Sequence, residues 1–278
     1  MGNLRAGAAR AVITPSIGAS IRGYYHERLA RDIHDDLYAK SLVLERDGTS
    51  LAIVVCDLIG LAKEYIDRAR SRAAEITGIP PANVLVACTH THFGPGVARG
   101  INKIGDVDYV DWLPDRIADS IRMAQNRLRP AMIGHASGQC PKECHNRRYL
   151  MKDGAVVTNP GYMNPNIVKP VGPTDPEVAL LAVLDSDRTP IAALCNYSLH
   201  YVGGCGPDSA VVDYSISADY FGAFDRALQR MAGGDFVAIM MNGCCGDINN
   251  IDVFKPAPDC PEPRYQINRV ADVVAAEA

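Results

Sequence analysis

The stretch Val84-Leu85-Val86-Ala87-Cys88-Thr89-His90-Thr91-His92 decides how this chain is read. Its apolar run has the length of a buried strand, and Gly94-Pro95-Gly96 supplies the turn that ends it. Side chains two apart on an extended segment point the same way, so His90 and His92 are expected to emerge together at the carboxyl end of a strand. Open α/β sheets place their ligand sites at such ends. Imidazole suits zinc and similar metals, which makes a metal site the first expectation. A pair of hydrogen-bonded histidines beside a turn is the alternative that an isolated His-x-His leaves open.

Working outward, residues 38–45 and 50–56 read as strands joined by Asp47-Gly48, a strong hairpin signal. The second strand ends at Asp57. A helical pattern from Lys63 to Thr77 follows, closed by Gly78 and Pro80-Pro81. Strand, helix and strand in this order predict a βαβ unit with parallel strands. The same grammar recurs downstream. Residues 178–184 and 190–196 form a hairpin around Asp185-Ser186-Asp187-Arg188, and the second run leads to His200. A helix over 218–231 and a strand over 236–241 follow, running into Asn242-Gly243-Cys244-Cys245-Gly246-Asp247. The expected fold is therefore α/β, with a mixed sheet built from a hairpin-plus-βαβ unit used twice and the site at the carboxyl ends of parallel strands. Between the halves, a helix over 115–128 and a strand over 131–137 precede a loop-rich stretch, 138–176, that suits a lid or site wall. A last helix covers 266–278.

Composition narrows the function. With 278 residues and 47% apolar content the chain can form one large domain, and residues 1–278 are read as one. A net charge of −4 argues against a nucleic-acid or anionic-membrane partner. No apolar stretch reaches the length of a transmembrane segment. The first residues lack the apolar core of a signal peptide. Several of the nine cysteines (Cys56, Cys88 and Cys195 among them) fall inside apolar strands, which fits buried thiols better than a disulfide framework and makes the cytoplasm the expected location.

His90, His92 and His200 are the candidate metal ligands, and Asp57 or Asp247 could complete or support the set. In the long loop, Arg147 could bind a carboxylate, a phosphate or a developing oxyanion through its planar fork. Cys140-x3-Cys144-His145 is a weak structural-zinc signal without a second ligand pair. Cys244-Cys245 reads as small side chains packed under a turn.

Several blocks, taken in order, resemble the catalytic domain of the neutral ceramidases and their small bacterial relatives. They are Ala11-Val12-Ile13-Thr14-Pro15 with Gly23-Tyr24, Ile33-His34-Asp35 with Leu37-Tyr38-Ala39, Thr89-His90-Thr91-His92 with Gly94-Pro95-Gly96, Asn146-Arg147, Asn196-Tyr197-Ser198-Leu199-His200, and Gly246-Asp247 with Asn249. The resemblance runs from about residue 5 to 252. It implies a zinc-dependent amide hydrolase in which zinc-bound water attacks an N-acyl carbonyl, releasing a fatty acid and an amine. It implies zinc ligands at His90 and His200, and catalytic roles near the scissile amide for His92 and Arg147. The family's remaining ligands, a glutamate and a tyrosine, come from a later segment, so the chain is expected to be incomplete at its C-terminus.

The expected function is thus zinc-dependent hydrolysis of an N-acyl or lipid-like amide. Two rivals are a metal-dependent ester or phosphate-ester hydrolase and a non-catalytic fragment with a partial metal site. With 6% aromatic residues and a single tryptophan, the chain shows no exposed apolar stripe for docking on a membrane.

Overall fold

A computed structural model describes residues 4–24, 26–97, 107–201, 214–260 and 264–278. Eight strands carry the fold: β1 (Arg5–Val12), β2 (Tyr38–Arg46), β3 (Thr49–Cys56), β4 (Val84–Cys88), β5 (Arg129–Gln139), β6 (Glu177–Asp185), β7 (Pro190–Tyr197) and β8 (Val237–Asn242). The main helices are α1 (Lys63–Thr77), α2 (Val107–Asn126), α3 (Asp219–Ala232) and α4 (Tyr265–Glu277).

The strands lie in the hydrogen-bonded order β8-β7-β6-β5-β1-β2-β3-β4. In the first half, β1, β2 and β3 are antiparallel neighbours, and β3 pairs parallel with β4 across α1. In the second half, β5, β6 and β7 are antiparallel neighbours, and β7 pairs parallel with β8 across α3. The hairpin-plus-βαβ unit is therefore used twice, each copy preceded by one further antiparallel strand. The first hairpin turns at Asp47-Gly48 with positive φ at both residues (51° and 78°), as a tight two-residue turn requires.

Only Arg5–Pro130 and Ala6–Arg129 pair β1 with β5, so the halves are free to fold against each other. Side-chain alternation gives each half two apolar faces. On one face of the first half, Ala9, Val43 and Val54 pack with Ala69 of α1 and Ile117 of α2. On one face of the second, Ala193, Cys195 and Ala238 pack with Phe224 of α3 and Val270 of α4. The remaining faces meet each other, Ala8, Leu42 and Val55 against Val183, Ala192 and Ile239. The layers thus run helix, sheet, sheet, helix.

Helix α2 begins at Val107, eight residues before the expected start, with Pro114 inside it. The proline looks like a boundary because it removes a backbone donor. Buried Tyr109, Leu113, Ile117, Ile121 and Ala124 form one stripe that runs past it, and packing outweighs the lost bond. The loop-rich stretch 138–176 contains its own small sheet, Arg148–Met151 between Val156–Thr158 and Ile167–Pro170. One cysteine expectation is corrected: Cys244 is exposed rather than packed beneath its turn. Seven described cysteines, Cys56, Cys88 and Cys195 among them, are free thiols, and Cys260 is in a disulfide. Among the described residues, no helix is long and apolar enough to cross a membrane.

Gly7 sets the spacing between β1 and α2. A Cβ there would lie 2.2 Å from the carbonyl oxygen of Ala124 and 2.8 Å from backbone atoms of Arg127 and Leu128. Gly7→Ala must push the helix backbone away, an overpacking cost of about 1–3 kcal/mol. The expected result is a Tm lower by roughly 5 °C in thermal unfolding, and an unchanged Tm would show that α2 yields freely.

Candidate metal centre

Strand β4 ends at Cys88, two residues short of His90. His90 is not extended; its φ is 68°, in the left-handed region that non-glycine residues seldom occupy. The turn after β3 holds it there. His90 N–H donates to the Leu58 carbonyl at 2.9 Å, and Nδ1 lies 2.7 Å from the Ile59 carbonyl. A carbonyl can only accept, so Nδ1 carries a proton, which in the neutral ring leaves the lone pair on Nε2. The extended alternation expected of His-x-His is thus replaced by a turn, which still brings the His90 and His92 rings to 5.1 Å between centroids.

His92 is buried and enclosed on several sides. Gly23, at φ 109°, lies so close that a Cβ would fall 2.5 Å from the imidazole Cγ. Arg28, 1% exposed, donates to the His92 carbonyl and stacks on the Tyr24 ring at 4.2 Å. Between the two histidines, Thr91 points inward and donates its hydroxyl to the Ser217 carbonyl at 2.9 Å, while Ser217 N–H donates to the Phe93 carbonyl at 3.0 Å. The THTH segment is therefore clasped by the residues that lead into α3.

His200 follows β7 and comes from the other half of the molecule. Its Nε2 lies 2.9 Å from Nε2 of His92, and its ring is 4.8 Å from those of both His90 and His92. One ligand atom from each of the three rings falls within 4.8 Å of the others. Two nitrogens on one tetrahedral zinc lie about 3.3 Å apart. The donor set and its spacing therefore fit a borderline metal such as zinc with small side-chain adjustments.

The electrostatics match this reading. Burial lowers the pKa of His92 to about 3, helped by His200, His90 and the cations Arg28 and Arg147. Burial lowers that of His200 to about 4, with Arg147 and His90 adding to it. Both imidazoles are neutral near pH 7, the state that binds a metal or accepts a proton.

Arg147 acts on both histidines through its charge, so the structure brings it to the site. The pairing of His145-Asn146 with Ile248-Asn249 places it there, and its guanidinium donates to the Gly246 carbonyl. Asp247 does not join the histidine cluster. Its Oδ2 accepts from Asn146 Nδ2 at 2.9 Å and its carbonyl from Arg147 N–H at 2.8 Å, so it fixes the segment that carries the arginine. Asp57 also lies outside the cluster. It is fully buried, accepts from Tyr38 N–H at 3.0 Å, and pairs with Lys40 at 3.5 Å. Cys140 and Cys144 pack in the apolar core of the second half. Arg28 and the two turn carbonyls are site elements that the sequence reading missed. A lone arginine and a backbone oxygen carry no motif, although the Gly23-Tyr24 block lies close by in sequence.

The neutral histidines give a pH prediction with a definite sign. Each ordinarily titrates near 6.5, so unfolding takes up protons below that value, and stability present above pH 6.5 declines as pH falls towards 4. Metal-free protein is expected to lose roughly 5 °C in Tm between pH 7 and pH 5. A His92→Asn/His200→Asn variant should show a flatter profile over the same range. Asp57 works in the opposite sense, since burial raises its pKa to about 6, but it contributes equally to both proteins. Equal slopes would contradict the assignment.

No sequence-family profile matches the chain. It is 28% identical to the neutral ceramidase of Pseudomonas aeruginosa over 184 residues, which cover 63% of this chain and 26% of that protein. It is 26% identical to neutral ceramidase 3 of Arabidopsis thaliana over 231 residues, covering 78% of this chain and 30% of that one. The chain therefore spans between a quarter and a third of the curated relatives it matches. Its fold superposes over its whole length on the crystal structure of neutral ceramidase from Pseudomonas aeruginosa, with a TM-score of 0.77, 22% identity and 44% of that chain covered. A structure described as ceramidase complexed with C2 gives 0.75, also at 22% identity, with 43% of that chain covered. In sequence and in fold, this chain is similar to the neutral ceramidases.

Proposed function

We propose that this chain forms the metal-centre portion of a zinc-dependent hydrolase that cleaves the N-acyl amide of ceramide-like lipids. The observation that carries the reading is the convergence of three imidazoles from both halves of the molecule, in a chain related to neutral ceramidases. His90 and His200 are the proposed zinc ligands. Zinc, when bound, supplies a Lewis acid for the amide carbonyl and lowers the pKa of a water to about 7.

The chain's own side chains do the rest. His92, kept neutral by burial, offers a proton-accepting nitrogen beside His200. Arg147 donates to the Gly246 carbonyl and has further donors on its fork for a substrate oxygen as it gains charge. Arg28 holds the backbone of His92 without spending the imidazole itself. Burial of both histidines excludes water around them, which strengthens every charge interaction at the site.

Elemental analysis of the purified chain and its variants tests the ligand assignment. The wild type is expected to hold about one zinc, and His90→Ala and His200→Ala should lose it, because few protein ligands share the ion. His92→Ala should keep the metal and lose turnover of an N-acylsphingosine. Full metal content in His200→Ala would overturn the assignment. Turnover of phosphate esters in place of amides would overturn the substrate class.

Arg147 gives a separate test. Arg147→Ala should retain zinc and lower kcat by about 10²–10³, the usual loss for one oxyanion donor. Arg147→Lys should recover little, because an ammonium lacks the planar fork. An unchanged kcat in the alanine variant would remove Arg147 from the reaction.

A further inference from the structure

Behind the turn that holds His90, in sequence, is a buried group of charges that the proposed reaction does not use. Lys40 on β2 is 2% exposed, and its Nζ lies 3.5 Å from Asp57 Oδ2 and 3.6 Å from Asp225 Oδ2. Asp225 comes from α3 in the other half, and Arg10 on β1 reaches it at 3.3 Å. Asp57 Oδ1 and Asp225 Oδ1 are buried and meet no donor among the described residues. Burying three charges and leaving two oxygens unsatisfied is a poor way to gain stability, since apolar side chains of similar volume often do as well or better. The network therefore calls for another reason.

Its position supplies one. Asp57 is the first residue of the turn that holds His90. It is fastened to β2 twice, because its N–H donates to the Tyr38 carbonyl at 2.9 Å and its Oδ2 accepts from Tyr38 N–H at 3.0 Å. The next two residues are Leu58 and Ile59, whose carbonyls take the His90 N–H and Nδ1–H. A left-handed conformation at a non-glycine residue is strained and persists only where its surroundings over-determine it. Here the surroundings are that turn, and a charged anchor fixes it in direction as well as in depth.

We infer that the buried Lys40–Asp57–Asp225 network is a positioning device for His90, fixing the turn whose two carbonyls set that histidine's backbone and tautomer. Because Asp225 belongs to α3, the same device ties this setting to the half that supplies His200. Its effect on metal binding rests on the zinc reading above; its effect on the tautomer does not.

The test reads His90 directly. Imidazole nitrogen-15 NMR of the metal-free wild type is expected to show His90 protonated at Nδ1. Asp57→Ala should lose that tautomer's dominance and weaken zinc binding about 10–100-fold, the usual effect of removing an outer partner of a ligand. Asp57→Asn, which keeps an acceptor for Tyr38 N–H but not the charge, should fall between the two. If Asp57→Ala does not fold, Lys40→Met/Asp57→Asn removes both charges together and should show the same change at His90. Ile121→Ala destabilises the core of the first half away from this turn and should leave both readouts at wild-type values. Folded Asp57 variants that retain the Nδ1–H tautomer and the wild-type zinc affinity would overturn the inference. Failure of the wild type to bind zinc would overturn the metal reading alone, because the tautomer is measured without metal.

Discussion

The contact between the two halves at the THTH segment is the constraint on which the rest of this structure depends. Thr91 donates to the Ser217 carbonyl, Asn242 at the end of β8 donates to the Thr89 carbonyl at 2.5 Å, and His92 meets His200 nitrogen to nitrogen. None of these contacts lies within one repeat. Each hairpin-plus-βαβ unit supplies a strand end and a polar loop, but the imidazole cluster exists only when the inner sheet faces are packed together. The small side chains Ala6, Ala8 and Ala192 at that interface let the sheets approach, and the site follows from their approach.

Charge is handled differently at two depths. At the site, cations surround imidazoles that burial has already made neutral, so Arg28 and Arg147 reinforce the state the proposed chemistry needs. Deeper, Lys40 stays charged. Burial alone would lower its pKa, but Asp57 and Asp225 outweigh that and raise it. Asp57 feels burial more than its partner and is pushed the other way for a carboxylate, to about 6. One layer is poised for exchange with a ligand, and the other is fixed and holds the first in place.

Much of this was legible in the sequence, because the signals were local. Asp47-Gly48 marked a turn with positive φ, Gly78 closed α1 in the left-handed conformation, and apolar runs of strand length set β2, β3, β4, β6, β7 and β8 within a residue or two. The repeat was readable because both halves share that punctuation. What was not legible depends on tertiary partners. Pro114 marks a boundary in sequence, and only the buried stripe on α2 shows otherwise. Asp57 looks like a ligand at a strand end until Lys40 and Asp225 are found beside it. His90 reads as extended until the Leu58 and Ile59 carbonyls are seen to hold it left-handed.

The central claim is that His90 and His200 hold one metal ion through their ring nitrogens. X-ray absorption at the zinc edge of the zinc-loaded chain tests it most directly. The account predicts at least two imidazole nitrogens at about 2.0–2.1 Å, with the outer-ring scattering that identifies histidine. A first shell of oxygen or sulfur without imidazole scattering would contradict it.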